Sequence, residues 1–130
     1  MTASFVRNAW YAACWASDLG SDKPHAKTIL GEPIVLWRDK SGAPVALEDR
    51  CCHRHLPLSL GRVTGHTLQC GYHGLEFNAL GRCVSVPGQS RVPPSATIQS
   101  YPVCQRHALI WIWCGDPSQA DANEIPDLFW

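Results

Sequence analysis

Hydrophobic positions along the 130-residue chain come in short runs bounded by glycine, proline or small polar turns. No stretch repeats apolar residues at i, i+3, i+4 and i+7, so the pattern predicts strands rather than helices. Residues 33–37 (Pro-Ile-Val-Leu-Trp) and 44–47 (Pro-Val-Ala-Leu) flank Asp39-Lys40-Ser41-Gly42 and read as a hairpin. A second hairpin is expected from residues 75–78 and 82–86 around Ala79-Leu80-Gly81, where Gly81 can take a positive φ. A third is expected from residues 100–104 and 109–114 around the polar turn at 105–107. Within it Trp111 and Trp113 alternate across Ile112 and so share one face of a strand. A single turn of helix is expected at residues 15–19, capped by Ser17 or Asp18. Ten glycines and ten prolines punctuate these runs, as in a small all-β sandwich or partly closed barrel. Residues 87–96 form a Pro, Gly and Ser-rich loop, and 116–126 have the acidic, Ala-containing composition of a linker. The terminal Leu128-Phe129-Trp130 reads as the start of a further segment.

Composition narrows the function. Eleven basic residues cancel eleven acidic ones, leaving no electrostatic footprint for nucleic acid or an anionic membrane. With 17% charged and 45% hydrophobic residues, the chain is expected to pack as one globular domain. Its longest apolar runs, such as 108–113, fall well short of the roughly 20 residues of a membrane span. The first residues lack the pattern of a signal peptide, so a cytoplasmic, reducing environment is expected. For such a compartment, seven cysteines and six histidines are an excess that calls for chemistry.

The excess concentrates in residues 51–74, CCHRHLPLSLGRVTGHTLQCGYHG. Cys51-x-His53 and Cys70-x-x-His73 are two short Cys/His pairs in loop-like surroundings, separated by residues with strand character. If those loops lie side by side, one thiolate and one imidazole from each can meet on a single centre. A 2Fe-2S cluster of Rieske type uses that mixture, two thiolates on one iron and two imidazoles on the other. Replacing two thiolates by neutral imidazoles leaves the oxidised centre neutral instead of dianionic, which eases reduction. The same stretch also offers Cys52, His55, Cys70 and His73, two C-x-x-H pairs suited to tetrahedral zinc. The two sets share Cys70 and His73, and spacing alone favours neither.

The flanking residues add a resemblance. DRCCHRHLPLSLGRV and LQCGYHGLEFNALGRCVSVPG closely resemble the Rieske domain of aromatic-ring hydroxylating oxygenases, especially the large subunits of the phthalate and vanillate demethylase-like branch. The similarity continues through FVRNAWYAACWASDLG, LGEPIVLWRDKSGAPVALEDR and YPVCQRHALIWIWCGDP. It implies stacked antiparallel sheets with a small cluster-binding subdomain, whose loops at about 51–58 and 70–76 carry the ligands. It also implies a Rieske domain over residues 1–116 and a linker over 117–130 that leads toward a catalytic domain. By the resemblance the ligands are Cys51, His53, Cys70 and His73 on a 2Fe-2S cluster, and not the zinc set.

In that family a flavin/iron-sulfur reductase or a ferredoxin supplies electrons, and the domain passes them to a mononuclear non-haem iron in the catalytic domain of a homotrimer. Once His53 and His73 are assigned, no remaining histidine pair here has a carboxylate in helical register to hold such an iron. The chain by itself is therefore expected to move electrons and not to oxygenate. The alternatives are a freestanding Rieske ferredoxin and a zinc-binding structural module.

Several positions depart from the family or sit near its motif. Cys52 stands where the family usually has proline, and is expected as a buried or half-buried thiol beside the centre. Leu56 and Tyr72 occupy the positions at which respiratory Rieske proteins carry an additional cysteine pair, so no bridge is expected across the loops. Leu75 after Gly74 offers no hydroxyl to a cluster sulfur, which predicts a potential in the lower part of the range of about −150 to +300 mV. Cys14, Cys83, Cys104 and Cys114 are expected as buried thiols, and His25, His66 and His107 as solvated turn residues. Arg54 either meets an acidic partner or braces its own loop, and His55 stands beside the ligands.

Overall fold

The computed structural model describes residues 7–52, 56–71 and 74–126, so the expectations for His53, Arg54, His55, Tyr72, His73 and the last four residues lie outside the described residues. Eleven strands follow one another among those described: β1 (Ala9–Trp15), β2 (His25–Ile29), β3 (Glu32–Arg38), β4 (Pro44–Glu48), β5 (Arg62–Thr64), β6 (Thr67–Gln69), β7 (Glu76–Phe77), β8 (Cys83–Ser85), β9 (Ser100–Tyr101), β10 (Val103–Arg106) and β11 (Leu109–Cys114). They form three antiparallel sheets, in the orders β1-β11-β10, β2-β3-β4-β9 and β5-β6-β7-β8. The all-β class and the first two hairpins are as expected.

The β2-β3-β4-β9 sheet is the middle layer, and β3 shows why its sequence is apolar throughout. Ile34 and Leu36 pack with Ala13, Cys14, Ile110 and Ile112, toward the β1-β11-β10 sheet. Val35 and Trp37, on the opposite face, pack with Leu68, Phe77 and Cys83 of the third sheet. The β3–β4 register pairs Val35 with Leu47 and Leu36 with Ala46, so β4 divides its side chains between the same two cores. A strand buried on both faces needs no polar alternation. The β3–β4 turn is closed by Asp39, whose Oδ1 accepts from Ser41 N (2.9 Å), Ser41 Oγ (2.6 Å) and Ala43 N (3.1 Å). Those bonds hold the Asp39 carboxyl below the usual carboxylate range, with the Ser41 side chain as the main cause.

Three expectations are corrected. The third hairpin is interrupted at Pro102: Ser100–Tyr101 joins β4 in the middle sheet, while only Val103–Arg106 pairs with β11. Proline has no N–H to continue the ladder, and the chain changes sheets there. Its turn lies at His107 and Ala108, both at positive φ (60° and 75°), rather than at 105–107. The expected helical turn is a 3₁₀ turn, Ala16–Asp18, with Ser17 and Asp18 inside it and no side-chain cap. Among the lesser cysteines and histidines, Cys104 is half-buried rather than buried, and His25 and His107 are half-buried rather than solvated.

Residues 116–126, which have the composition of a linker, lie docked on the outer face of the β1-β11-β10 sheet. Two 3₁₀ turns, Pro117–Gln119 and Ala122–Glu124, are capped by Asp116 and Asp121. Trp113 Nε1 donates to Asp116 O (2.8 Å), Trp10 Nε1 to Asp121 O (2.8 Å), and an Arg106 guanidinium nitrogen to Ala122 O (2.6 Å). Trp10 and Trp113, opposite one another in the β1–β11 register, meet edge to face with centroids 5.5 Å apart, and Ile125 is buried. The tail is held through its own main-chain carbonyls, which composition does not reveal. No helix among the described residues is long and apolar enough to cross a membrane.

Candidate metal centre

Two loops carry the cysteines singled out by sequence, and they share one local design. Cys51 follows β4, and its N–H donates to Leu56 O (2.8 Å). Cys70 follows β6, and its N–H donates to Leu75 O (2.7 Å). Each loop is thus closed by a bond from the cysteine amide to the carbonyl five residues on. Both cysteines are buried, 2% and 3% exposed, in the core that also contains Leu58, Leu68, Leu75 and Phe77.

The loops touch through their backbones. A Cβ on Gly61, at the end of the first loop, would overlap Gln69 O, and one on Gly71, in the second, would lie 3.1 Å from Leu60 O. At Gly61 only glycine permits the approach, while at Gly71 a Cβ would be tight. A shallow hollow of about 340 Å³ beside the seam is lined by Leu60, Gly61, Arg62, Gln69, Cys70, Gly71 and Gly74. The second loop is further steadied by Gln69: its Nε2 donates to Gly74 O (3.5 Å), while its Oε1 accepts from Arg62 Nε (2.9 Å). Gly74 takes a positive φ of 76° and abuts Pro87.

Cys52 differs from its neighbour. It is half-buried, packs against the rim of the same core, and among the described residues shows no counterpart of the closing bond of Cys51 and Cys70. Burial pushes its thiol up from the ordinary value, opposed in part by hydrogen bonds from its own backbone and the Cys51 side chain. Cys83, on β8, is also pushed up, mainly by burial, and its Sγ donates to Ser85 O (3.5 Å). All seven cysteines are free thiols.

The first loop has a second tie that sequence reasoning missed. Asp49, the sole charged side chain in the buried set of described residues, accepts from Ser59 N at Oδ1 and from Ser59 Oγ at Oδ2, both at 2.7 Å. An aspartate two residues before a cysteine carries no signal of such a role in its spacing. Among the described residues no group of three His, Cys, Asp or Glu side chains converges as a metal site, and the histidines expected to join Cys51 and Cys70 lie outside them.

Residues 9–102 match the family model of the Rieske [2Fe-2S] domain. The chain belongs to that family. Two buried, unbridged thiols presented by matched loops in backbone contact fit the thiolate half of such a cluster. Relatives include the iron-sulfur subunit of a toluene-4-sulfonate monooxygenase system from Comamonas testosteroni, 49% identical over 97% of this chain and 36% of that subunit. The oxygenase component of dicamba O-demethylase from Stenotrophomonas maltophilia is 50% identical over 95% of this chain and 37% of its own length. A solved structure of apo dicamba monooxygenase superposes with a TM-score of 0.91 at 50% identity, covering 96% of this chain and 39% of the other. This Rieske chain therefore spans little more than a third of the length of these relatives.

Proposed function

We propose that Cys51 and His53 from the first loop, and Cys70 and His73 from the second, hold a Rieske 2Fe-2S cluster. The observation that carries this reading is the equivalence of Cys51 and Cys70, each buried and closing its loop by the same bond. Cys52, the thiol that a zinc set would need, is not equivalent to Cys70. When bound, the cluster takes up and releases one electron at a time. The chain's part is to supply two thiolates from a dry core, to keep the two loops in register through the Gly61–Gly71 seam, and to exclude water from the cysteine side.

Iron and acid-labile sulfide analysis with EPR of the reduced protein tests the assignment. Two irons, two sulfides and a rhombic signal with mean g below the free-electron value are expected, whereas zinc without sulfide would refute it. His73→Cys should retain a cluster at a lowered potential, and an unchanged potential would remove His73 from the ligand set. With Leu75 after Gly74, the parent's potential is expected in the lower part of the range of about −150 to +300 mV.

At the level of the whole protein, the chain is the electron-delivery domain of a cytoplasmic ring-hydroxylating or demethylating oxygenase. A flavin/iron-sulfur reductase or a ferredoxin donates the electron, and a mononuclear non-haem iron in a following domain of a homotrimer receives it. The similarity to oxygenase subunits nearly three times as long supports this reading. A freestanding Rieske ferredoxin is the second reading, favoured by the docking of residues 116–126, which closes the tryptophan face without help from another domain. The gene beyond codon 130 separates the two: an in-frame oxygenase domain supports the first and a stop codon the second.

A further inference from the structure

We propose that Asp49 sets the reduction potential of the centre, acting through its fixed charge and through its clasp on Ser59. The inference rests on the cluster assignment above and concerns a residue outside the ligand set.

Asp49 and Ser59 stand on either side of residues 51–58, the loop that begins with Cys51. Oδ1 accepts the Ser59 main-chain N–H and Oδ2 its hydroxyl, both at 2.7 Å, so one carboxylate ties the exit of the loop to its entrance. The entrance is pinned in turn to the middle sheet, where Asp49 N donates to Pro33 O (3.0 Å). The next residue after Ser59 is Leu60, whose carbonyl faces Gly71 of the second loop, so the clasp lies one residue from the seam between the loops.

A loop of this length could be closed by neutral groups. A carboxylate only 9% exposed carries a desolvation cost, and here its two hydrogen-bond donors are the neutral N–H and hydroxyl of Ser59. A negative charge held two residues from a ligand thiolate opposes the arrival of an electron, because attraction and repulsion act over longer range in a dry core than in water. Hydrogen bonding and net charge around iron-sulfur centres are recognised determinants of potential. Asp49 therefore acts as a positioning residue that also biases the centre toward low potential, in the direction expected from the missing hydroxyl after Gly74.

Two substitutions in the cluster-loaded chain separate charge from loosening. Asp49→Asn keeps an acceptor for the Ser59 N–H and offers an amide to its hydroxyl oxygen, but removes the charge, so cluster content should be retained and the potential should rise. Ser59→Ala keeps the charge and the main-chain bond but removes the hydroxyl that draws density from the carboxylate, so the potential should fall. Loosening of the loop would move both variants in the same direction. Redox titration followed by EPR reads the shifts. An unchanged or lowered potential in Asp49→Asn, or shifts of the same sign in both variants, overturns the proposal. If Asp49→Asn does not hold the cluster, Ser59→Ala still tests the proposal, and an unchanged or raised potential overturns it. Absence of iron and sulfide from the parent chain would instead refute the cluster assignment, so the two failures are distinct.

Discussion

The loop that begins with Cys51 crosses from the middle sheet to the third, between β4 and β5, whereas the loop that begins with Cys70 turns within the third sheet, between β6 and β7. The ends of the second loop, Gln69 and Glu76, already face one another as a ladder pair, so strand pairing fixes its width. The first has no such rung, since Glu48 and Arg62 belong to different sheets. Its closure falls to the buried side-chain clasp between Asp49 and Ser59, while the second needs only Gln69 on a half-exposed rim. Both nonetheless present a buried cysteine closed by the same main-chain bond. Equivalent ligand positions do not require equivalent scaffolds, and the loop without a ladder carries the costlier support.

The largest test of this comparison addresses the equivalence itself. Cys51→Ser and Cys70→Ser should each abolish iron and sulfide incorporation, and retention of the cluster in either variant would break the pairing of the two loops. The seam comes next. Gly61→Ala forces a Cβ into Gln69 O and should destabilise the fold by about 3 kcal/mol, whereas Gly71→Ala, with 3.1 Å of room, should cost about 1 kcal/mol in urea denaturation. The supports should then differ as their burial does. Asp49→Ala leaves a part-buried N–H and hydroxyl unpaired and should cost about 2 kcal/mol, while Gln69→Ala should cost about 0.5 kcal/mol. Equal losses would mean that the two loops are held alike. The smallest effect is expected at Cys52, whose conversion to serine should leave cluster content unchanged by iron analysis, because its side chain packs at the rim and closes neither loop.

Hairpins β3–β4 and β7–β8 were legible because their turn residues, Asp39 to Gly42 and Asn78 to Gly81, act locally: Asn78 Oδ1 accepts from Leu80 N (3.0 Å) and Arg82 N (3.1 Å) within its own turn. The third hairpin reads as continuous because Tyr101 and Val103 both favour strands, and only the missing N–H of Pro102 tells that they serve different sheets. The docked tail escaped because its partners, Trp10 and Arg106, are remote in sequence and bind carbonyls that every residue possesses. Asp49 escaped for a related reason: nothing near it in the chain announces that Ser59 returns to meet it.

By itself the sequence determined which residue types the centre could use and that they would sit in loops between strands, since spacing and turn chemistry are local properties. Spacing alone left Cys51 and Cys52 as neighbours with equal claims, and only the resemblance of the flanking residues favoured Cys51. Tertiary packing places the two thiols differently. Cys51 enters the core shared by the middle and third sheets, and its amide closes the loop as that of Cys70 does, while Cys52 remains at the rim.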